Sequence, residues 1–167
     1  MLLKNFYKCL YPMLVNSASE SSIPVVTYDN NIYTNVIKNG GIFKASMTVG
    51  TIITPTEAYN SNTKQILLGS GDTAPTMDDY CLEQFIPNMY LVSYTCTNDK
   101  LGNLTISAII RNDNAESVTV KEIGYIYITI ANPNGRNILV YRDVLSTPVT
   151  IAPSEQYNFV ININGVE

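Results

Sequence analysis

The run from Tyr157 to Ile163, Tyr-Asn-Phe-Val-Ile-Asn-Ile, decides the fold class because apolar and polar side chains largely alternate along it. A period of two residues is the signature of a half-buried β-strand, whose successive side chains point to opposite faces of a sheet. We therefore predict a strand here with one core-facing side. That side carries Tyr157, Phe159, Ile161 and Ile163, and the other carries Asn158, Val160 and Asn162.

Similar β-prone runs recur upstream, separated by Gly, Pro and Asn turn signals. They are Val25–Tyr28, Ile42–Val49, Thr51–Thr54, Lys64–Leu68, Met89–Thr97, Leu104–Arg111, Ser117–Ile130, Asn137–Val144 and Pro148–Ile151. Strands broken by turns about every 8–12 residues are typical of a sandwich or barrel. We predict an all-β domain over residues 21–167: an antiparallel β-sandwich, Ig-like or jelly-roll-like.

A different pattern precedes this body. Within residues 2–15, apolar side chains recur at three- and four-residue spacing, which predicts a short amphipathic helix. The small polar segment Asn16–Ser22 follows as a linker. A helix of about fourteen residues is marginal alone in water and must pack on something. We predict that residues 1–20 form an attachment arm whose helix docks into a partner groove, the alternative being that it covers one end of its own sandwich. The docking residues are Leu3, Phe6, Leu10 and Leu14.

Composition excludes several function classes. The chain of 167 residues contains no His, which removes Ser-His-Asp and Cys-His catalysis and His metal ligation. We predict no enzymatic activity, no cofactor and no metal. A carboxylate-dependent hydrolase, which needs two acids in one cleft, is the disfavoured enzymatic alternative. The three cysteines, Cys9, Cys81 and Cys96, have no CxxC spacing and are expected to be thiols.

The charge balance also limits the partners. The net charge is −4, and the Lys and Arg residues are scattered, so direct nucleic-acid binding is not expected. No run of about 20 apolar residues suggests a membrane span. Charged residues make up only 14% of the chain, against about 25% in ordinary globular proteins, while Tyr occurs 12 times. A surface so poor in charge suits extensive, partly polar subunit contacts.

One glycine-rich segment invites a binding-site interpretation. Gly69-Ser-Gly-Asp-Thr-Ala-Pro75 lacks the Gly-Lys-Ser/Thr ending of a phosphate loop and the spacing of a dinucleotide loop. We predict a structured surface loop and candidate interface that includes Gly69, Gly71, Asp72, Asp78 and Asp79. The acidic group could bind calcium, but we favour Asp78 or Asp79 as the cap of a helical turn over Tyr80–Phe85.

Tyrosines within the predicted strands support a second, different hypothesis. Sugars stack on aromatic faces, so an exposed Tyr and Asn cluster would suit a carbohydrate-binding adhesin module. Tyr also simply fits a half-buried pleated surface, which is the interpretation we favour. The residues concerned are Tyr90, Tyr94, Tyr125, Tyr127, Tyr141 and Tyr157.

Four motifs together resemble small structural proteins of bacteriophage particles. Leu67–Glu83 is similar to a Gly-x-Gly-x-Thr-x-Pro segment followed by an Asp pair and Leu-Glu. Val120–Gly124 resembles a Thr-x-Glu-Ile-Gly strand, and Leu139–Asp143 resembles a Leu-x-x-Arg-Asp strand. Val149–Glu155 resembles the turn before the last strand, with Ser154 where that turn usually has Gly.

The resemblance implies a virion structural role and assigns no catalytic residues. It implies a chain assembled in the host bacterial cytoplasm that binds copies of itself, a trimer among the expected states, and other virion proteins. We expect a head-attached accessory protein, a decoration or fibre-base component. A tail, collar or baseplate component is the alternative within the same class.

Overall fold

The computed structural model describes residues 1–4, 6–7, 25–26, 28, 30–33, 51–53, 66–99, 103–129 and 136–164. These residues form nine strands: β1 Val25–Val26, β2 Ile32–Tyr33, β3 Thr51–Ile53, β4 Ile66–Gly69, β5 Met89–Asn98, β6 Leu104–Asn112, β7 Val118–Thr129, β8 Arg136–Ile151 and β9 Gln156–Ile163. The predicted all-β class is confirmed. The predicted strand Ile42–Val49 lies outside the described residues.

Two antiparallel sheets make up most of the described chain. One has the strand order β3-β5-β6-β9 and the other the order β4-β7-β8, while β1 and β2 pair separately. Alternate side chains of β6 are buried, as expected for a strand with one face on a core. The buried apolar side chains of both sheets belong to one hydrophobic core.

Strand β8 differs from the prediction of two strands, Asn137–Val144 and Pro148–Ile151. It is a single strand of 16 residues whose ladder with β7 is interrupted. Val120 pairs with Val149 and Glu122 pairs with Val144, which leaves residues 145–148 without a β7 partner. Pro148 has no N–H to donate to a ladder, so it is tolerated where the ladder is already broken.

The segment after the glycine-rich loop also differs from the prediction. Tyr80–Phe85 contains no helical turn, so neither Asp78 nor Asp79 caps one. Instead Phe85 forms a β-bridge with Gly69, and the Ile86 N–H donates to the Leu68 carbonyl at 2.9 Å. The segment therefore lies along the outer edge of β4.

The first three residues add a short extended segment to the outer edge of β8. Leu2 forms a β-bridge with Tyr141, and the Leu3 N–H donates to the Val140 carbonyl at 2.9 Å. The Leu3 side chain is fully buried in the core of its own chain. Residues 2 and 3, assigned to the start of the predicted helix, are thus part of the β-body.

Little of the predicted N-terminal helix falls within the described residues. Lys4, Phe6 and Tyr7 have helical conformation, and Phe6 packs partly buried against the core. Leu10 and Leu14, the other two docking residues, lie outside the described residues. Their docking role remains a prediction.

The turn before β9 gives a first testable prediction. The Glu155 N–H donates to the Ala152 carbonyl at 3.1 Å, and Ser154 has a φ of 65°. A side chain costs about 1–2 kcal/mol in this left-handed region, and glycine avoids that cost while losing more chain entropy on folding. We expect Ser154→Gly to raise the free energy of unfolding by about 0.5–1 kcal/mol, measured by thermal unfolding. Ser154→Ala keeps the steric cost and should bring no gain; an equal gain from both variants would contradict this explanation.

Candidate functional site

The carboxylate of Glu122 on β7 is the centre of a buried polar cluster. Its side chain is fully buried and accepts four hydrogen bonds. Oε1 accepts from the backbone N–H groups of Gly71 at 3.1 Å and Gln84 at 2.8 Å. Oε2 accepts from the Glu83 N–H at 3.1 Å and from Arg142 Nε at 2.8 Å. Burying an ionised carboxylate is costly unless it is paired and hydrogen-bonded, and both conditions are met here.

The guanidinium of Arg142 on β8 is the second centre. Besides Glu122, it donates through Nη1 to Asp79 Oδ2 at 2.7 Å and through Nη2 to the Thr73 carbonyl at 3.1 Å. Nη2 also lies 3.5 Å from Glu83 Oε2. Burial acts to lower the pKa of Arg142, but its bonds to Glu122 and Asp79 outweigh burial and raise the pKa above its ordinary value. The group therefore stays charged.

Two further carboxylates connect Arg142 to the loop above it. Asp79 accepts from the N–H and hydroxyl of Thr76 at 3.0 and 2.7 Å, and Glu83 accepts from the same two groups of Thr73, both at 2.9 Å. Burial acts to raise the pKa of Asp79, but the bonds from Thr76 and Arg142 lower it on balance. The bonds from Thr73 hold the pKa of Glu83 below its usual value. We call residues 70–86 the clamped loop.

Glycines make room for this arrangement. A Cβ on Gly69 would overlap Glu122 Oε1 and lie 2.6 Å from Glu122 Cγ, and one on Gly71 would lie 2.7 Å from Glu122 Oε1. Gly124 lies directly opposite Arg142 in the β7–β8 ladder. Glu122 is two residues before Gly124 and is therefore the diagonal neighbour of Arg142 on the same face of the sheet.

The residues predicted for the loop have different environments. Gly69 and Gly71 are buried under the cluster, rather than conferring flexibility on a surface loop. Asp72 is exposed and pairs with Lys121 at 2.9 Å, and Asp78 is exposed and pairs with Lys4. Asp79 alone of the three acids joins the cluster.

The sequence motifs include Glu122 and Arg142 but assign them no role. Both are charged residues inside predicted strands, and that was the available signal, which the adjacent Lys121 and Asp143 also give. A charge in a buried strand requires a partner, so two opposite charges on successive strands indicate an ion pair.

A cavity of about 320 Å³ lies beside Arg142. Among its lining residues, Asp79 and Glu83 have lowered pKa values; Asp79 accepts a hydrogen bond from Arg142, and Glu83 forms an ion pair with it. Burial and the nearby Asp79 raise the pKa of the Cys81 thiol, which disfavours a reactive thiolate. In the part of the chain that the structure describes, no group of three potential metal ligands converges.

The tyrosines of the adhesin hypothesis do not form an exposed cluster among the described side chains. Tyr94, Tyr125 and Tyr141 are buried. The Tyr90 ring is covered by the Arg111 guanidinium at 4.4 Å. Tyr157 is exposed and packs against Phe159 with the ring centroids 4.9 Å apart. The side chain of Tyr127 lies outside the described part.

No protein-family model, curated protein or solved structure matches this chain. Within the described ranges, no helix has the length and apolar character needed to span a membrane.

Proposed function

We propose that this chain is a non-enzymatic structural component of a bacteriophage particle. In this proposal it is a head-attached accessory protein that assembles in the host bacterial cytoplasm and resides in the virion. It binds copies of itself and other virion proteins, and its N-terminal helix provides the attachment through Leu10 and Leu14, since Leu3 and Phe6 pack on the core of their own chain. A tail, collar or baseplate position is the alternative within the same class.

One observation carries the proposal. The motif segments that resemble phage structural proteins are far apart in the sequence, yet three of them meet at the Glu122–Arg142 ion pair. The clamped loop supplies Gly71, Asp79 and Glu83 to the same cluster. The resemblance thus corresponds to one physical unit that fixes a long loop to a sheet. A body held together in this way suits a particle component that must persist outside the cell.

The architecture proposed for this role is a β-sandwich of the Ig-like or jelly-roll-like kind. Two antiparallel sheets that share one apolar core support it. The outer face of β5, β6 and β9 also supports an assembly role, because it is formed largely by Thr, Ser and Asn side chains. These include Thr95, Thr97, Thr105, Ser107, Asn158 and Asn162. Burying an uncharged polar face in an interface costs less desolvation free energy than burying a charged face.

The test is whether the protein is present in purified phage particles. We expect quantitative mass spectrometry of density-purified particles to find the chain in a fixed ratio to the main shell protein. Particles that are treated with protease and then repurified serve as the control, because this treatment removes protein that merely adheres to the particle surface. Immunogold electron microscopy then distinguishes head from tail. A chain found only in the infected-cell lysate would overturn the proposal.

A further inference from the structure

The edges of the two main sheets differ in their protection. Unpaired edge strands recruit other strands, and natural proteins block them with short length, coverage, proline, bulges or charge. Strand β3 has only three residues and pairs with β5 only at Met89–Leu91. The clamped loop covers β4 through Phe85 and Ile86. Met1–Leu3 cover β8 at Val140–Arg142, and the strand contains Pro148 nearer its end.

Among the described residues, no segment pairs along the outer edge of β9; Leu145, Ser146, Thr147 and Val149 of β8 line a cleft of about 330 Å³ with residues 157–160 of β9 but form no ladder with them. Strand β9 has eight residues and contains no charge, no proline and no register shift against β6. Within the described residues β6 is its one paired neighbour, so alternate residues of β9 direct their N–H and C=O groups away from the sheet. The side chains of Tyr157 and Val160 are 44% and 49% exposed, so this strand is open to solvent.

The Asn side chains on the outward face of β9 are fixed by hydrogen bonds from β6. The Ser107 hydroxyl donates to Asn158 Oδ1 at 2.7 Å, and the Thr105 hydroxyl donates to Asn162 Oδ1 at 3.1 Å. These cross-strand bonds fix both amides beside Val160. An approaching strand therefore meets an ordered, uncharged edge. Pairing with it costs little side-chain entropy, because the Asn158 and Asn162 side chains are already fixed.

We propose that β9 pairs antiparallel with β9 of a second copy of this chain, joining two four-stranded sheets into one of eight strands. This pairing names the surface for the proposed self-association and rests on it. A second copy fits because a two-fold axis places β9 antiparallel to β9 of the other copy. Since β9 has no charged side chain, no like charges face each other across that pairing. A charged peptide would find no complementary group on β9.

The faces of the sheet limit the register. Directly opposite residues point to the same face, so Val160 must face an outward residue of the second copy. We infer the register in which Val160 lies on the two-fold axis and faces Val160 of the second copy. Asn158 then faces Asn162 of the second copy, and Phe159 faces Ile161 on the core side.

The test is Val160→Lys, measured by sedimentation equilibrium across a wide concentration range. We expect the unmodified chain to sediment at twice its mass of 18.5 kDa. We expect the variant to sediment as a monomer, with dimerisation weakened at least about 100-fold, because the two introduced ammonium groups face each other. An equimolar mixture of Val160→Lys with Val160→Glu should restore the dimer.

Thr95→Lys is the matched control. Thr95, Ser107 and Val160 lie in one row on the same face, with Thr95 two strands away from β9. This variant carries the same charge and should remain dimeric. Circular dichroism of each variant verifies that the fold is retained.

Four results would overturn the pairing: a monomeric unmodified chain, a three-fold trimer, a Val160→Lys dimer, or equal dissociation by Thr95→Lys. The last result would indicate an interface through β5 or the outer face of the sheet instead. The particle experiment is independent of these. If the chain is present in particles but monomeric in solution, the β9 pairing alone is overturned. If the chain forms a dimer that Val160→Lys breaks but is absent from particles, the virion role alone is overturned.

Discussion

Arg142→Met is expected to lower the free energy of unfolding by about 3–5 kcal/mol, because it leaves the Glu122 carboxylate buried without its cation. The three backbone N–H bonds to Glu122 remain but do not neutralise it. Urea unfolding followed by far-ultraviolet circular dichroism measures the loss. Limited proteolysis should also show cleavage within the clamped loop, since Arg142 holds Thr73 and Asp79 in place.

The control uses a neighbouring ion pair that is exposed. Lys121→Met breaks the contact with Asp72 and should cost less than about 1 kcal/mol. Glu122→Gln completes a double-mutant cycle with Arg142→Met. The double variant should lose less than the sum of the two single losses, because the second change no longer strands a charge. Equal losses from Arg142→Met and Lys121→Met would contradict a clamping role for the cluster.

Gly69→Ala is expected to cost about 2–3 kcal/mol, the scale of overpacking in a well-packed interior. The added methyl group would occupy the place of the Glu122 side chain. Moving that side chain breaks its bonds to Gly71 and Gln84, so the clash cannot be relieved cheaply. Thermal or urea unfolding measures the cost.

Ser70→Ala is the control for this position. It removes an exposed bond from the Ser70 hydroxyl to Gln84 Oε1 and should cost less than about 1 kcal/mol. The cause is tested in a Glu122→Ala background, which removes the obstructing side chain. Gly69→Ala should cost much less there, and an unchanged cost would place the clash elsewhere.

The cluster also bears on assembly, because the clamped loop protects a sheet edge. Its far end lies along β4 through the Phe85 bridge and the Ile86 bond. Holding the loop down therefore keeps β4 from pairing with other chains. The Glu122–Arg142 pair thus helps to protect β4, whereas no described segment pairs along the outer edge of β9.

Alternating side chains were sufficient to predict the fold class, since the period of two is a local property of a strand. The predicted limits of β5, β6, β7 and β9 agree with the structure to within one residue at each end. Local pattern was misleading where tertiary contacts prevailed. Pro148 indicated a break, but β8 continues through it, and Asp79 binds Arg142 instead of capping a helix.

The candidate site could not be predicted from local sequence pattern, for a physical reason. Glu122 and Arg142 meet because β7 and β8 pair in a register that sets Arg142 opposite Gly124. The partners in the clamped loop come from residues far away along the chain, and no spacing rule specifies that contact. The same holds for β9: its own sequence determines which side chains face outward, whereas its place at the edge of a sheet follows from the order in which all the strands pair.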